Sequence, residues 1–232
     1  MDDYSIDTSI HYKAYRPPLH HIILRRCLND LFFNCALDVG CGVGISTVAL
    51  TEFSKKVIGF DPSKQMLNEA LSNECVQYIS ELKNLNFDYD LLCFFGSLFY
   101  INETSINQYI SNLIDGGSVI CCDFKIDYQA VLNILGLNSV KSNYNHQKNL
   151  DHYGNGRINQ KKSEQFDTHF TCTTAELSHL LFSEHHLKPK LIAHLDSKHP
   201  FKEIINQLDN HLTSDKWTLK ASCYFSVYLK GK

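Results

Sequence analysis

The sequence predicts an α/β fold built on a largely parallel sheet, because short apolar runs alternate with amphipathic stretches over residues 34–123. The run Leu91-Leu92-Cys93-Phe94-Phe95 is apolar at every position, as expected of a central strand covered on both faces. A tight glycine turn follows the first apolar run, which is typical of a strand entering a helix. The predicted strands are residues 36–39, 57–60, 76–79, 91–95 and 118–122.

Helical spacing of apolar residues separates these strands. Residues 45–50 predict a first helix, and the apolar stripe of residues 66–71 predicts a second, with Pro62 in its opening turn. A third stripe spans residues 106–114, and the turn Asp115-Gly116-Gly117 predicts its end, because glycine adopts the left-handed conformation of a helix stop.

The second half of the chain is less regular. Residues 141–166 are rich in Asn, His, Lys and Gln and predict an exposed or mobile insertion. Thr173 and Glu176 predict a capping box at the start of a helix. A strand at residues 191–195, a helix at 201–212 and a last strand at 219–229 are expected to follow.

Composition narrows the class of protein. A net charge of −3 without a basic stripe disfavours a nucleic-acid partner. The acidic start and the lack of an apolar run of about 20 residues predict a cytoplasmic protein that does not enter a membrane. The nine cysteines contain no C-x-x-C and predict reduced thiols. No histidine spacing matches a metal motif, so no metal is expected.

The glycine turn and an acidic residue form the main candidate site. Gly40, Gly42 and Gly44 follow the first strand, and Asp61 ends the second strand about 20 residues later. A carboxylate at that position accepts hydrogen bonds from ribose hydroxyls. The structural alternative is that the glycines only permit close strand–helix packing and that Asp61 only caps the next helix.

Two details of the turn concern the ligand. A dinucleotide site shows Gly-x-Gly-x-x-Gly facing a pyrophosphate, and Ile45 stands where its last glycine would fall. Asp38 precedes the turn, where its charge would repel phosphate and attract an ammonium group, directly or through water. The sequence therefore favours an amine-bearing ligand, and an NAD-dependent oxidoreductase is the alternative enzyme.

Residues 37–44 resemble motif I of the class I S-adenosylmethionine-dependent methyltransferases, within the ubiquinone-biosynthesis-like and trans-aconitate-methyltransferase-like small-molecule group. The resemblance implies a Rossmann-like, doubly wound, mostly parallel seven-stranded sheet with an antiparallel last strand and helices on both faces. It implies one domain over residues 1–232. Its parts are a helical segment covering the cofactor (1–33), the cofactor-binding core (34–123), a substrate lid or insertion (124–172) and the completion of the sheet (173–232).

The resemblance also implies roles for single residues. The glycine turn would hold the methionine part of S-adenosyl-L-methionine, Asp61 the ribose and Glu81 the adenine amine, since residues 81–87 look like the acidic segment of the family with Asn86 replacing proline. Arg16 is a candidate partner of the methionine carboxylate, with a plain surface arginine as the alternative. The expected cofactor-binding residues are Asp38, Gly40, Cys41, Gly42, Gly44, Asp61, Pro62, Met66, Glu81, Leu82, Phe95, Gly96 and Arg16, with Ser97 bordering the cofactor.

The segment expected to contact the methyl acceptor differs from the family pattern at Phe99-Tyr100. Many relatives carry one or two histidines there that contact the substrate. Tyr100 is the candidate catalytic residue, and the candidate substrate-binding residues are Tyr12, Tyr15, Tyr100, Tyr144 and His152. The resemblance predicts methyl transfer to a small-molecule substrate by a monomer or homodimer. Because the histidine position is vacant, a catalytically silent regulatory module that binds S-adenosylmethionine is a further alternative.

Overall fold

The computed structural model describes residues 6–82, 87–138, 143–195, 197–212 and 214–231. The strands in these ranges are β1 (Phe33–Val39), β2 (Ser54–Phe60), β3 (Val76–Ile79), β4 (Tyr89–Phe95), β5 (Leu113–Ile126), β6 (Ile158–Cys172) and β7 (Trp217–Lys230). The helices are α1 (Ile6–Ala14), α2 (Leu19–Leu28), α3 (Ile45–Ala49), α4 (Lys64–Asn68), α5 (Glu103–Asn112), α6 (Gln129–Ile134), α7 (Thr174–Ser183), α8 (Lys188–Leu195) and α9 (Pro200–Asp209). Within the described ranges, no helix is both long and apolar enough to cross a bilayer.

The strands form one seven-stranded sheet in the order β3-β2-β1-β4-β5-β7-β6. The five strands from β3 to β5 pair in parallel, and the last strands run antiparallel. The predicted Rossmann-like, mostly parallel fold is therefore confirmed. β2 lies on one side of β1 and β4 on the other, which makes the edge between β1 and β4 the switch point where such sheets bind ligands.

The chain divides into two compact units, each described by itself. One contains the described parts of Pro18–Phe124, Asn145–Phe166 and Cys223–Lys232, and its core gathers buried residues such as Leu37, Leu92 and Ile106. The other contains the described parts of Met1–Pro17, Lys125–Tyr144 and Asp167–Ser222, where α7 packs against α1 and α9. The single-domain organisation expected over residues 1–232 stays a prediction.

The predicted strand at residues 191–195 is wrong, because these residues belong to α8. Leu187 and Leu191, four positions apart, are both buried, whereas Ile192 is 40% exposed. That spacing buries one face of a helix. A short apolar run such as Leu-Ile-Ala-His-Leu fits either structure by pattern alone.

The insertion predicted at residues 141–166 is wrong over its last part, which forms the beginning of β6. Residues 141 and 142 lie outside the described residues. Along β6, Glu164, Phe166 and Phe170 are half-buried or buried and alternate with exposed residues. Because β6 lies at the edge of the sheet, its many polar residues are tolerated and hide the strand pattern.

Two predicted helices end earlier than expected. The second helix ends at Asn68, and it begins at Lys64 with Ser63 as its N-cap, so Pro62 precedes it. The third ends at Asn112, and the Asp115-Gly116-Gly117 turn predicted to stop it lies inside β5. By contrast, the capping box of Thr173 and Glu176 is confirmed at the start of α7, and β7 confirms the last strand.

Candidate functional site

The candidate site lies where the parallel strands end at one edge of the sheet. In register, Val39 of β1 lies opposite Phe60 of β2, and Phe95 of β4 lies opposite Cys122 of β5. Gly40, Asp61 and Gly96 therefore follow their strands at the same edge. This is the edge at which open parallel sheets bind ligands.

The glycine turn is fixed by short contacts. Gly40, Gly42 and Gly44 have φ values of 76°, 55° and 82°, a left-handed conformation that favours glycine. A Cβ atom at Gly40 would overlap Ser97, and one at Gly44 would overlap the hydroxyl of Tyr78. Close packing thus explains these two glycines, as the structural alternative proposed.

Gly42 differs from the other two glycines. A Cβ atom there would meet only the flexible end of Met66, at 3.2 Å from Cε. The backbone N–H of Gly42 donates to Asp61 Oδ2 at 2.9 Å. Gly42 is therefore the glycine of the turn whose backbone a ligand can approach. The acceptor of its N–H, Asp61, is the residue predicted to bind the ribose.

Asp38 is fully buried in β1, and only one of its carboxylate oxygens has a partner. Oδ2 accepts hydrogen bonds from Ser46 Oγ at 2.8 Å and from Thr47 Oγ1 at 2.7 Å. Oδ1 has no hydrogen-bond partner among the described residues. Burial raises the pKa of Asp38 to about 6, while the two hydroxyl donors lower it. A buried acceptor without a partner is rare in folded proteins, which makes Asp38 Oδ1 a candidate contact for a ligand donor.

Asp61 is held by two backbone donors. Oδ2 accepts from Gly42 N, and Oδ1 accepts from the N–H of Ser63 at 2.8 Å. Burial raises the pKa of the Asp61 carboxyl, and these two N–H groups lower it. The alternative role of Asp61 as the helix cap is wrong in detail, because Ser63 caps α4 by accepting from Met66 N. A carboxylate has about four lone pairs, so Asp61 retains capacity for ligand hydroxyls.

The segment after β4 forms hydrogen bonds to both neighbouring strands, β1 and β5. Ser97 Oγ donates to the carbonyl of Val39, at the end of β1. Gly96, with a φ of 64°, donates its N–H to the carbonyl of Cys122 in β5 at 2.9 Å. Phe95 and Ser97 are buried beside this junction. The predicted cofactor-bordering residues Phe95, Gly96 and Ser97 therefore adjoin the glycine turn.

The remaining cofactor candidates of this unit have different surroundings. Cys41 and Met66 are buried, and burial raises the pKa of the Cys41 thiol. Leu82 is half-buried against the core, whereas Pro62 and Glu81 are exposed. Residues 83–86 of the acidic segment, including Asn86, lie outside the described residues. The roles of these residues stay predictions.

Arg16, Tyr12 and Tyr15 belong to the unit that contains α1. The Arg16 guanidinium lies 3.5 Å from the centre of the Tyr12 ring, and its Nη1 lies 3.4 Å from Glu184 Oε1. The Arg16 side chain is 5% exposed, so it is not the surface arginine of the alternative. Tyr15 donates to the carbonyl of Thr171, and burial raises the pKa of Tyr15 to about 12. Binding of a ligand carboxylate by Arg16 stays a prediction.

The other acceptor-side candidates lie at or near the surface. Tyr100 is 45% exposed and meets the ring of Phe99 edge-on, with 5.6 Å between the ring centres. Tyr144 is half-buried and His152 is exposed. Their predicted substrate-binding roles, and the catalytic role of Tyr100, stay predictions.

Two hydroxyl groups that hold Asp38 were not among the predicted site residues. Ser46 and Thr47 open the helix after the glycine turn, in α3. The sequence contains the information needed to predict both contacts. In a strand–turn–helix unit, the first residues of the helix lie back over the strand that precedes the turn. Tyr78 was not predicted either; its ring lies against Gly44, and its hydroxyl donates to the carbonyl of Leu71 at 2.9 Å.

The fold and this edge define an α/β sheet with a glycine turn and two carboxylates at its switch point. Residues 36–115 match the family model described as a methyltransferase domain. A Dictyostelium discoideum protein named as a candidate methyltransferase is 38% identical over 82 residues. That match covers 34% of this chain and 30% of the Dictyostelium protein, so it spans less than a third of that relative's length.

Solved structures share the fold at low sequence identity. A candidate type II methyltransferase from Anaeromyxobacter dehalogenans has a TM-score of 0.61 at 14% identity, covering 94% of this chain and 98% of that chain. A Haemonchus contortus phosphoethanolamine N-methyltransferase, in complex with phosphomonomethylethanolamine and S-adenosylhomocysteine, has a TM-score of 0.55 at 16% identity. It covers 100% of this chain and 58% of that chain. The YcgJ protein of Bacillus subtilis has a TM-score of 0.51 at 14% identity, covering 92% of this chain and 99% of that chain. These likenesses show that the chain shares the fold of these proteins.

Proposed function

We propose that this chain binds S-adenosyl-L-methionine and transfers its methyl group to a small-molecule acceptor. The observation that carries the proposal is Asp38, a buried carboxylate with one unpartnered oxygen, two residues before Gly40 of the glycine turn at the switch point of the sheet. A pyrophosphate beside this charge would be repelled, whereas an ammonium would satisfy the oxygen. The methyltransferase-domain match over residues 36–115 covers this position.

The residues present fit the cofactor. Asp38 would hold the methionine ammonium, Gly42 leaves its backbone open to the ligand, and Asp61 has acceptor capacity for ribose hydroxyls. When bound, the sulfonium supplies an activated methyl group with a neutral thioether as its leaving group. The chain itself would orient the acceptor in line with that methyl group and exclude water. This positioning supplies much of the rate enhancement.

The solved relatives support the chemistry of this proposal. The Haemonchus contortus enzyme holds S-adenosylhomocysteine together with a small amine-bearing acceptor on the same fold. We extend the proposal to a cytoplasmic enzyme of small-molecule metabolism, monomeric or homodimeric, in the ubiquinone-biosynthesis-like or trans-aconitate-like group. The net charge of −3 supports a small acceptor over nucleic acid.

Calorimetric titration with S-adenosylhomocysteine and with NAD⁺ tests the cofactor. We expect S-adenosylhomocysteine to bind and NAD⁺ to bind at least a hundredfold more weakly. Tight NAD⁺ binding without affinity for S-adenosylhomocysteine would favour the oxidoreductase alternative and refute the proposal. Release of S-adenosylhomocysteine from S-adenosylmethionine, screened over metabolites that carry hydroxyl or amine groups, then separates an enzyme from a silent binding module.

A further inference from the structure

Two neighbouring hydroxyl groups of α3 donate to the same oxygen of the Asp38 carboxylate. Ser46 Oγ lies 2.8 Å from Asp38 Oδ2, and Thr47 Oγ1 lies 2.7 Å from it. Asp38 and Thr47 are fully buried, and Ser46 is only 5% exposed. Since water has almost no access to this oxygen, the two hydroxyl groups replace water as its hydrogen-bond donors.

This pair of donors fixes the position of the other carboxylate oxygen. A carboxylate is planar, so two donors on Oδ2 from consecutive residues of one helix oppose its rotation. Oδ1 is then held in one place, and it is the oxygen without a hydrogen-bond partner among the described residues. The helix is itself anchored to the glycine turn, because Val48 N–H donates to the carbonyl of Gly44 at 2.9 Å. Oδ1 is therefore an acceptor whose position is set before a ligand binds.

The hydroxyl groups also favour the ionised form of Asp38. An ionised carboxylate only accepts, so both hydroxyl hydrogens can point at Oδ2. A proton on Oδ2 would compete with these hydrogens, and a proton on Oδ1 would have no acceptor among the described residues. Burial acts in the opposite direction and raises the pKa of Asp38 to about 6. The carboxyl is therefore mostly ionised at pH 7.5 and mostly protonated at pH 5.

The other titratable groups around Asp38 do not stabilise its charge. They are Cys41 in the glycine turn, Asp61 after β2, Tyr78 in β3 and Cys93 in β4. Burial raises the pKa of both thiols and of the Tyr78 hydroxyl, so these three groups are neutral near pH 7. Asp61 carries a like charge, and its repulsion raises the pKa of Asp38. Within the described ranges, the two hydroxyl groups of α3 are thus the contacts that favour a charged Asp38.

We propose that Ser46 and Thr47 are positioning residues for ammonium recognition, which hold the Asp38 carboxylate charged and leave its Oδ1 to the ligand. The inference rests on the proposed function and deepens it. Two neutral side chains that need not touch the ligand would set how strongly the site prefers a cationic amine. Binding would also be coupled to a proton, because a ligand ammonium that binds below about pH 6 must displace the proton of Asp38.

The first test reads Asp38 directly and needs no ligand. In protein labelled with ¹³C-aspartate, the carboxyl signal that is lost in Asp38→Asn should titrate near pH 6 in the wild type. Thr47→Val keeps the shape of the side chain and removes the hydroxyl, so this titration should move up by about one pH unit or more. Ser46→Ala should move it in the same direction, whereas Thr47→Ser should titrate as the wild type does.

Thr51→Val is the matched control for this titration. Thr51 Oγ1 donates to the carbonyl of Val48 at 2.7 Å, so this variant removes a hydroxyl hydrogen bond just after the same helix without touching Asp38. Its Asp38 signal should titrate as in the wild type. If Thr47→Val and Ser46→Ala both titrate at the wild-type pH, the inference is overturned.

The second test measures S-adenosylhomocysteine binding by calorimetry at pH 6 and pH 8.5. The ratio between the Kd of Thr47→Val and that of the wild type should be about fivefold larger at pH 6, where the variant is mostly protonated at Asp38. In the Asp38→Asn background, the effect of Thr47→Val should be the same at both pH values, because asparagine accepts the hydroxyl but does not ionise. Ser46→Ala gives the same comparison with a second variant.

A merely structural role of the hydroxyl groups gives a different result. The loss of affinity in Thr47→Val and Ser46→Ala would then be equal at pH 6 and pH 8.5, which would overturn the inference. A pH-dependent loss that persists in the Asp38→Asn background would also overturn it, because another group would be responsible.

The two proposals fail in different ways. If wild-type protein does not bind S-adenosylhomocysteine, the proposed function fails, whatever the titration of Asp38 shows. If the wild type binds, and the variants of Ser46 and Thr47 share its Asp38 titration and its pH dependence of Kd, only the inference about these two residues fails.

Discussion

Replacing Asp38 with asparagine tests the residue on which the proposed function depends. Asparagine keeps the shape of the side chain and an oxygen that can accept from Ser46 and Thr47, and it removes the negative charge. At pH 7.5 this change should weaken S-adenosylhomocysteine binding by the worth of a charge-assisted hydrogen bond, about 1.5–3 kcal/mol. That corresponds to an increase in Kd of roughly 10- to 150-fold.

The pKa of Asp38 adds a dependence on pH. Because burial raises this pKa to about 6, the carboxyl of the free protein is mostly protonated at pH 5. Ionising it before an ammonium can bind then costs about 1.4 kcal/mol, which makes the wild-type Kd about tenfold weaker at pH 5 than at pH 7.5. Asp38→Asn lacks this contribution, so the ratio between the Kd values of variant and wild type should shrink at pH 5.

The same group affects folding without ligand. In the unfolded chain Asp38 loses its proton near pH 4, whereas in the folded protein it keeps the proton to about pH 6. The folded state is therefore favoured below pH 4, and the wild type loses about 3 kcal/mol of unfolding free energy as the pH rises from 4 to above 6. Asp38→Asn should not show this loss.

Calorimetry at pH 5 and 7.5 measures the affinities, and urea denaturation at pH 4 and 7.5 measures the stabilities. Asp209→Asn, at the exposed end of α9, is the matched control and should follow the wild type in both. If Asp38→Asn binds S-adenosylhomocysteine as tightly as the wild type at pH 7.5, Asp38 is not in the ligand site and the reasoning is refuted.

Three further substitutions test the turn, the ribose position and a helix cap. Gly40→Ala should lower stability by roughly 2 kcal/mol or more in urea denaturation, because φ is 76° and a Cβ would overlap Ser97; wild-type stability would contradict the packing argument. Asp61→Ala should weaken S-adenosylhomocysteine binding by roughly 1.5–3 kcal/mol in calorimetry, and an unchanged Kd would rule out a ribose contact. Thr173→Ala should cost about 1 kcal/mol of stability, with Thr173→Ser as the conservative control; equal melting of all three proteins would show that the cap is dispensable.

The sequence predicted the elements whose pattern is local. The strands from β1 to β5 are apolar runs, and the glycine turn and Asp61 have a fixed spacing relative to them, so both the sheet and the positions of these candidate residues could be predicted. The capping box at Thr173 is equally local, since its two partners are three residues apart.

Features set by tertiary contacts could not be predicted in this way. The polar strand β6 is stable because it pairs at the edge of the sheet, which its composition does not reveal. The ion pair between Arg16 and Glu184 joins residues far apart in sequence, and no spacing rule connects them. Likewise, the unpartnered oxygen of Asp38 becomes evident only in the folded structure, in which α3 lies over β1 and the carboxylate is buried.

The hydrogen bonds of Asp61 have a consequence for how tightly and how selectively a ligand would bind. Gly42 and Ser63 fix both oxygens of this carboxylate before any ligand arrives, so the entropy of immobilising the side chain is lost during folding and not during association. A hydroxyl-bearing ligand then meets a rigid acceptor at a set angle. If Asp61 accepts from a ribose as proposed, a ligand whose ring carries non-adjacent hydroxyls would lose one of these hydrogen bonds, because the carboxylate is already held by two backbone donors.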